Sequence, residues 1–172
     1  LPIAWSLMHE YQKKRVLTFL DPDRDPLGAG YHITQSKIAI GSGGMFGKGF
    51  LKGTQSSLNF LPEKQTDFIF TVAGEEFGFA GSALIIGLFA VLIWRMWYAA
   101  MVAPDPQGRL ICVGVMVMCM FHLFENIGMS IGMMPVTGIP LPFISYGGSS
   151  LITMFAAVGL VLNVQMRQWD VA

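Results

Sequence analysis

The sequence predicts an all-α, polytopic integral membrane protein, and three observations carry that expectation. The chain is 53% hydrophobic and 13% charged, where an average soluble domain is roughly 25% charged. Its mean hydropathy is +0.54. From Phe77 to Trp94 no charged residue occurs, a run close to the ~20 apolar residues that a helix needs to cross a bilayer. Two more apolar runs follow, 149–166 without a charged residue and 110–134 with one, Glu125. With a net charge of +0, and aromatic residues grouped with aliphatics rather than with Lys and Arg, nucleic acid is set aside as a partner.

Taken in order, residues 1–10 read as the end of a truncated transmembrane helix, since LPIAWSLM is apolar but too short to span. The chain opens there without an initiator Met or a signal peptide, which reads as a fragment missing its N-terminal part. Residues 11–67 form a large loop. It carries three consecutive cations in HEYQKKR and then two Asp-Pro pairs, Asp21-Pro22 and Asp25-Pro26, which exclude a continuous helix and predict a folded loop. Tyr31 to Ile40 has apolar residues at 31, 33, 38 and 40 and predicts a short helix.

A glycine series follows, Gly41, Gly43, Gly44, Gly47, Gly49 and Gly53, interleaved with Lys48 and Lys52. A Walker A loop would need Gly where Ser42 stands and Ser or Thr where Gly49 stands, and Phe46 breaks the dinucleotide fingerprint. Two readings stay open: backbone amides and two lysines that hold a phosphate, or a turn packed against helices with solvated lysines.

Transmembrane helices are expected over 68–98, 110–134 and 149–166. The first ends in Trp94, Arg95, Trp97 and Tyr98, the mixture found at a membrane interface. Residues 99–109, with APDPQGR, make a polar turn. Residues 135–148, within PVTGIPLPFISYGGSS, form a Pro/Gly loop whose three prolines forbid a regular helix. Backbone this apolar must pack against protein or line a cavity. A short tail, 167–172, ends the chain. Cys112 and Cys119, two helical turns apart on one face, read as buried small apolar residues that cannot bridge each other.

Orientation follows from charge near the span ends. Arg95, Arg109 and Arg167 lie on one side against Lys64 on the other, which places the turn 99–109 and the tail in the cytoplasm. Eight of the eleven Lys and Arg precede residue 65, but long loops translocate with little regard to charge. The 11–67 and 135–148 loops are therefore expected outside.

Asp67 is the leading functional candidate, because a carboxylate where water gives way to hydrocarbon is costly without a partner or a task. The alternative is a helix cap, from Thr66 or Asp67. Glu75 and Glu76 point about 100° apart on a helix and cannot chelate together, so a structural role is expected. Glu125, in mid-span one turn from His122, is expected to hydrogen-bond to His122 or to the 135–148 loop. Ser145, Tyr146, Ser149 and Ser150 either shape a groove or cap the last helix.

Four phrases, RVLTFLDPDRDPLGAGYHITQSKIAIGSGGMFGKG, FLPEKQTDFIFTVAGEEFG, NIGMSIGMMPVTG and IPLPFISYGGSS, together resemble the C-terminal part of the SEDS family, the group of RodA, FtsW and SpoVE. The details YHITQSKIAIGSGG and TGIPLPF are more similar to RodA. The resemblance covers essentially the whole chain and implies the last helices of a roughly ten-helix fold, with a large extracytoplasmic loop before the eighth. It implies a peptidoglycan glycosyltransferase at the outer face of the bacterial inner membrane, polymerising lipid II beside a class B penicillin-binding protein, with the fragment alone lacking a complete site. The acid of the family's TDFIF motif, here Asp67, would be catalytic, as general base or as ligand of a divalent cation, Mg or Mn, set against the pyrophosphate. Lys48, Lys52, Lys64, Ser145 and Tyr146 would be substrate-binding. A lipid II flippase and a non-catalytic scaffold for the penicillin-binding protein are the competing functions.

Overall fold

The computed structural model describes residues 9–21, 28–54 and 66–167. Residues 1–8 of the helix end expected at 1–10, Lys64 and the tail beyond Arg167 lie outside these residues. Five helices occur among them: α1 (Glu10–Leu20), α2 (Ala29–Gly43), α3 (Ile69–Val102), α4 (Pro106–Ser130) and α5 (Gly148–Arg167). The last three are long and apolar enough to cross a membrane.

The long segment before α3 is more helical than its sequence announces. α1 opens with the Gln12 side chain accepting from the His9 amide at 3.1 Å, half of a capping box. It stops at Leu20, with Pro22 next but one, because the residue before a proline is driven out of helical geometry. The Asp21-Pro22 pair thus follows the end of a helix rather than preventing one, while Asp25-Pro26 lies outside the described residues. α2 extends past both ends of the predicted 31–40 helix, to Ala29 and Gly43.

α4 starts at Pro106, where Asp105 accepts from the Gly108 amide at 2.8 Å as an N-cap, with proline at the first helical position. It ends at Ser130 instead of continuing to Met134. Gly132 takes φ 73°, and the amides of Gly132 and Met133 turn back to the carbonyls of Met129 and Gly128 at 3.1 and 2.7 Å. This pairing is a Schellman cap.

The spans pack through small residues, as helices in hydrocarbon do. Ala99, Ala100, Cys112 and Cys119 are buried between α3, α4 and α5 with Met96, Met154 and Val161. Both cysteines are free thiols. A second cluster, Phe70, Phe89, Leu123 and Leu141, joins α3 and α4 to the loop before α5, so that non-helical stretch packs on protein.

α3 is broken at Gly78, where φ 66° and ψ −160° leave helical space. The groups released by the break are taken up by the glycine-rich turn after α2. Glu75 and Glu76 carbonyls accept from the Lys48 and Gly49 amides, both at 3.0 Å, and the Phe79 and Ala80 amides donate to Gly44 and Met45 at 2.8 and 3.0 Å. A Cβ at Gly47 would collide with the Glu76 carbonyl. This close approach is why glycine stands there.

Candidate functional site

Asp67 lies in the turn leading into α3, half-buried. The N-cap position is Phe68, where no side-chain cap bond forms, so Asp67 stands one residue outside it. Its turn is held by two polar side chains. Asn126, fully buried on α4, donates through Nδ2 to the Asp67 carbonyl at 2.9 Å and to the Ile139 carbonyl at 2.8 Å. Ser145 Oγ donates to the Thr66 carbonyl at 2.6 Å while accepting from the Leu141 amide at 2.7 Å. The start of α3 and the 135–147 loop are therefore pinned together on both sides of the carboxylate.

The carboxylate lies over the backbone of Gly138. There φ is 76°, and a Cβ would come within 3.1 Å of Asp67 Oδ2. The neighbouring Thr137 donates to Glu125 Oε1 at 2.9 Å and accepts through its carbonyl from Arg15 Nη1 at 3.2 Å. Glu125 thus bonds the loop and not His122, whose Nδ1 lies 3.3 Å from the Pro140 carbonyl. Two carboxylates, Asp67 and Glu125, meet adjacent residues of one loop. α1 reaches the same loop through Arg15.

A cavity of about 570 Å³ opens beside this junction, lined by Ile69, Phe143, Ser145, Tyr146, Gly147 and Leu151 among others. Tyr146 is exposed there and Ser145 is buried. Lys48 is engaged elsewhere: its ammonium donates to Glu75 Oε1 at 2.9 Å and to Thr54 Oγ1 at 2.8 Å, and Thr54 donates to the same carboxylate oxygen at 3.1 Å. Glu75 is fully buried, Glu76 is buried beside it in sequence, and Lys52 is exposed. Glu75 lies about 9 Å along α3 from its first residue, Ile69, at 1.5 Å per residue, and Asp67 stands before that start. The structure brings Ser145 to the Asp67 turn, with Tyr146 beside it in the cavity lining, and engages Lys48 with Glu75 instead.

Among the described residues no three His, Cys, Asp or Glu side chains are grouped to hold a metal ion.

Sequence reasoning passed over Asn126, Gly138, Thr137 and Arg15. A buried amide in an apolar span is itself a signal, because it must find partners. Asn126→Leu would leave the Asp67 and Ile139 carbonyls unpaired, at about 1–3 kcal/mol each. The purified full-length protein should then unfold at a clearly lower temperature, and an unchanged midpoint would show that these bonds contribute nothing.

Comparison with known proteins places this geometry. The model of the FtsW/RodA/SpoVE cell cycle proteins matches residues 1–169. Peptidoglycan glycosyltransferase MrdB of Escherichia coli K12 is 53% identical over 98% of this chain and 46% of that protein. Peptidoglycan glycosyltransferase RodA of Treponema pallidum is 48% identical over 94% of this chain and 37% of its own length. A chain from a solved peptidoglycan synthase complex, described for its coordination of polymerisation and crosslinking, superposes with a TM-score of 0.74 at 41% identity, over 96% of this chain and 44% of that one. The chain thus spans about half the length of the curated relatives it matches or less. An all-helical fold with three membrane-spanning helices, and a family match along nearly its whole length, make this chain a multi-pass membrane protein of the SEDS family, the FtsW, RodA and SpoVE group.

Proposed function

We propose that the protein is a peptidoglycan glycosyltransferase of the elongation type, and that this chain supplies its reactive carboxylate, Asp67. The observation that carries the reading is the pinning of Asp67 against the 135–147 loop by Asn126 and Ser145, beside a cavity. The relatives' names supply the reaction class.

In that reaction a sugar hydroxyl attacks the anomeric carbon of a second lipid-linked unit. The new C–O bond forms as the bond to the pyrophosphate breaks, and Asp67 takes the hydroxyl proton as general base. Holding the carboxylate by its backbone keeps it aligned for that transfer. Asp67 would also serve as a ligand to a divalent cation, which when bound would supply charge compensation for the pyrophosphate. Ser145 positions the turn by donating its hydroxyl to the Thr66 carbonyl. Tyr146, on the cavity wall, is placed to contact substrate, and the exposed Lys52 to meet phosphate. Lys48 contributes through its bond to Glu75, and any role of Lys64 would fall in the segment just before Asp67.

The site faces the outside of the bacterial inner membrane, beside a class B penicillin-binding protein that cross-links the product. Charge at the span ends supports this orientation. Single cysteines replacing Thr34 and Gln107, both exposed, should label from opposite sides: Thr34→Cys in intact cells, Gln107→Cys only after permeabilisation. Labelling of both in intact cells would reverse the topology.

The test of the function is polymerisation of purified lipid II by the full-length protein with its penicillin-binding partner. Glycan strands are expected. Transport of lipid II without strands would mark a flippase, and neither activity would mark a scaffold.

A further inference from the structure

We propose that the glycine-rich turn 44–51 is seated in the membrane, its apolar side chains entering the acyl-chain boundary of the leaflet next to the long loop. Met45, Phe46, Phe50 and Leu51 are 62%, 84%, 68% and 75% exposed. Four large apolar side chains on one turn form the kind of patch that a water-facing loop does not keep. Leu51 even holds φ 59°, a region that favours glycine.

Depth decides the occupant. Between Glu76 and Arg95 the chain carries no charge, and its helical part past the break at Gly78, residues 79–94, rises about 24 Å at 1.5 Å per residue, against ~30 Å of hydrocarbon. The far end is fixed by Trp94, Trp97 and Tyr98, exposed at an interfacial position. Nearly the whole run from Phe77 onward is then needed inside the bilayer. Met45 accepts from the Ala80 amide, four residues beyond Glu76 and inside the uncharged run. The tip of the turn therefore sits below the hydrocarbon edge. Its apolar surface continues into that of α3: Phe50 stacks on Phe77 with centroids 6.2 Å apart, and Phe77 and Phe79 are themselves exposed.

Non-helical backbone at this depth must have its polar groups satisfied. The break at Gly78 does this, since the turn gives carbonyls from Gly44 and Met45 and amides from Lys48 and Gly49 to the opened helix. The one ammonium carried inward is neutralised by Glu75 at 2.9 Å. Lys52, exposed at the end of the turn, is left to reach the headgroups.

The test uses full-length protein in liposomes, with Cys112 and Cys119 replaced by Ala and an environment-sensitive fluorophore on Phe46→Cys. A nitroxide on an early acyl carbon of the lipid should remove most of the fluorescence, while aqueous iodide should leave most of it. The same probe on Gln107→Cys should respond to iodide. Quenching of the Phe46 probe by iodide would place the turn in water, and quenching by neither would place protein over it, from another part of the molecule or a partner. Either result overturns the proposal. Should Phe46→Cys lower abundance, Met45→Cys reports the same depth.

Discussion

Glu75→Leu should strip the full-length protein of most of its membrane abundance and of its cooperative thermal unfolding. Glu75 is fully buried and accepts from Lys48 at 2.9 Å and Thr54 at 3.1 Å. Removing one partner of a buried pair costs about 3–5 kcal/mol, because the other charge is left uncompensated. Lys48 keeps 27% of its side-chain surface exposed, which puts the expected loss at the lower end. Against a total stability of ~5–15 kcal/mol for a typical native protein, that is still a large fraction. The pair also fastens the turn that satisfies the broken helix, so its loss should free the backbone groups at Gly78. Glu75→Gln, which can still accept from Thr54 and Lys48, should fall between wild type and Glu75→Leu. If Glu75→Leu were abundant and unfolded at the wild-type temperature, the pair would contribute nothing to the fold.

The membrane spans were legible because hydrocarbon imposes a simple rule, an uncharged run of sufficient length, and Phe77 to Trp94 obeys it. The break within α3 was not. Gly78 sits in a run rich in helix formers, and what opens the helix there is a turn more than 25 residues upstream. The same turn explains the glycine series. Of its two open readings, packing against a helix is what Gly43 and Gly47 do, each against backbone of α3. For the site, the sequence marked Asp67 by its place at the span's edge. It could not mark what holds Asp67, because Asn126 and Ser145 reach the turn from 59 and 79 residues away. Arg15 reaches Thr137 across 122. Such pairings come from helix packing and leave no local pattern. Glu125 was expected to use His122, its neighbour one turn along, or the loop; the loop satisfied both, through Thr137 and Pro140.

Asp67→Asn should abolish polymerisation while leaving the molecule otherwise intact. The bonds that Asn126 and Ser145 make to this turn are accepted by the backbone carbonyls of Asp67 and Thr66, so an amide of the same size keeps both of them in place. Asn can also rest over Gly138, where a Cβ-bearing residue would crowd the side chain. The substitution keeps the side chain's size while removing its negative charge and basicity. Deleting a general base costs about 10²–10⁴-fold in rate. Should the carboxylate act instead by holding a divalent cation, raised Mg or Mn ought to restore part of the rate in the variant, whereas loss of a base leaves it indifferent to the ion. The decisive measurement is the initial rate of lipid II polymerisation by purified full-length Asp67→Asn with its penicillin-binding partner, compared with wild type at equal membrane abundance. A rate lower by about 100-fold or more is expected; a rate near that of wild type would show that Asp67 is not the reactive carboxylate.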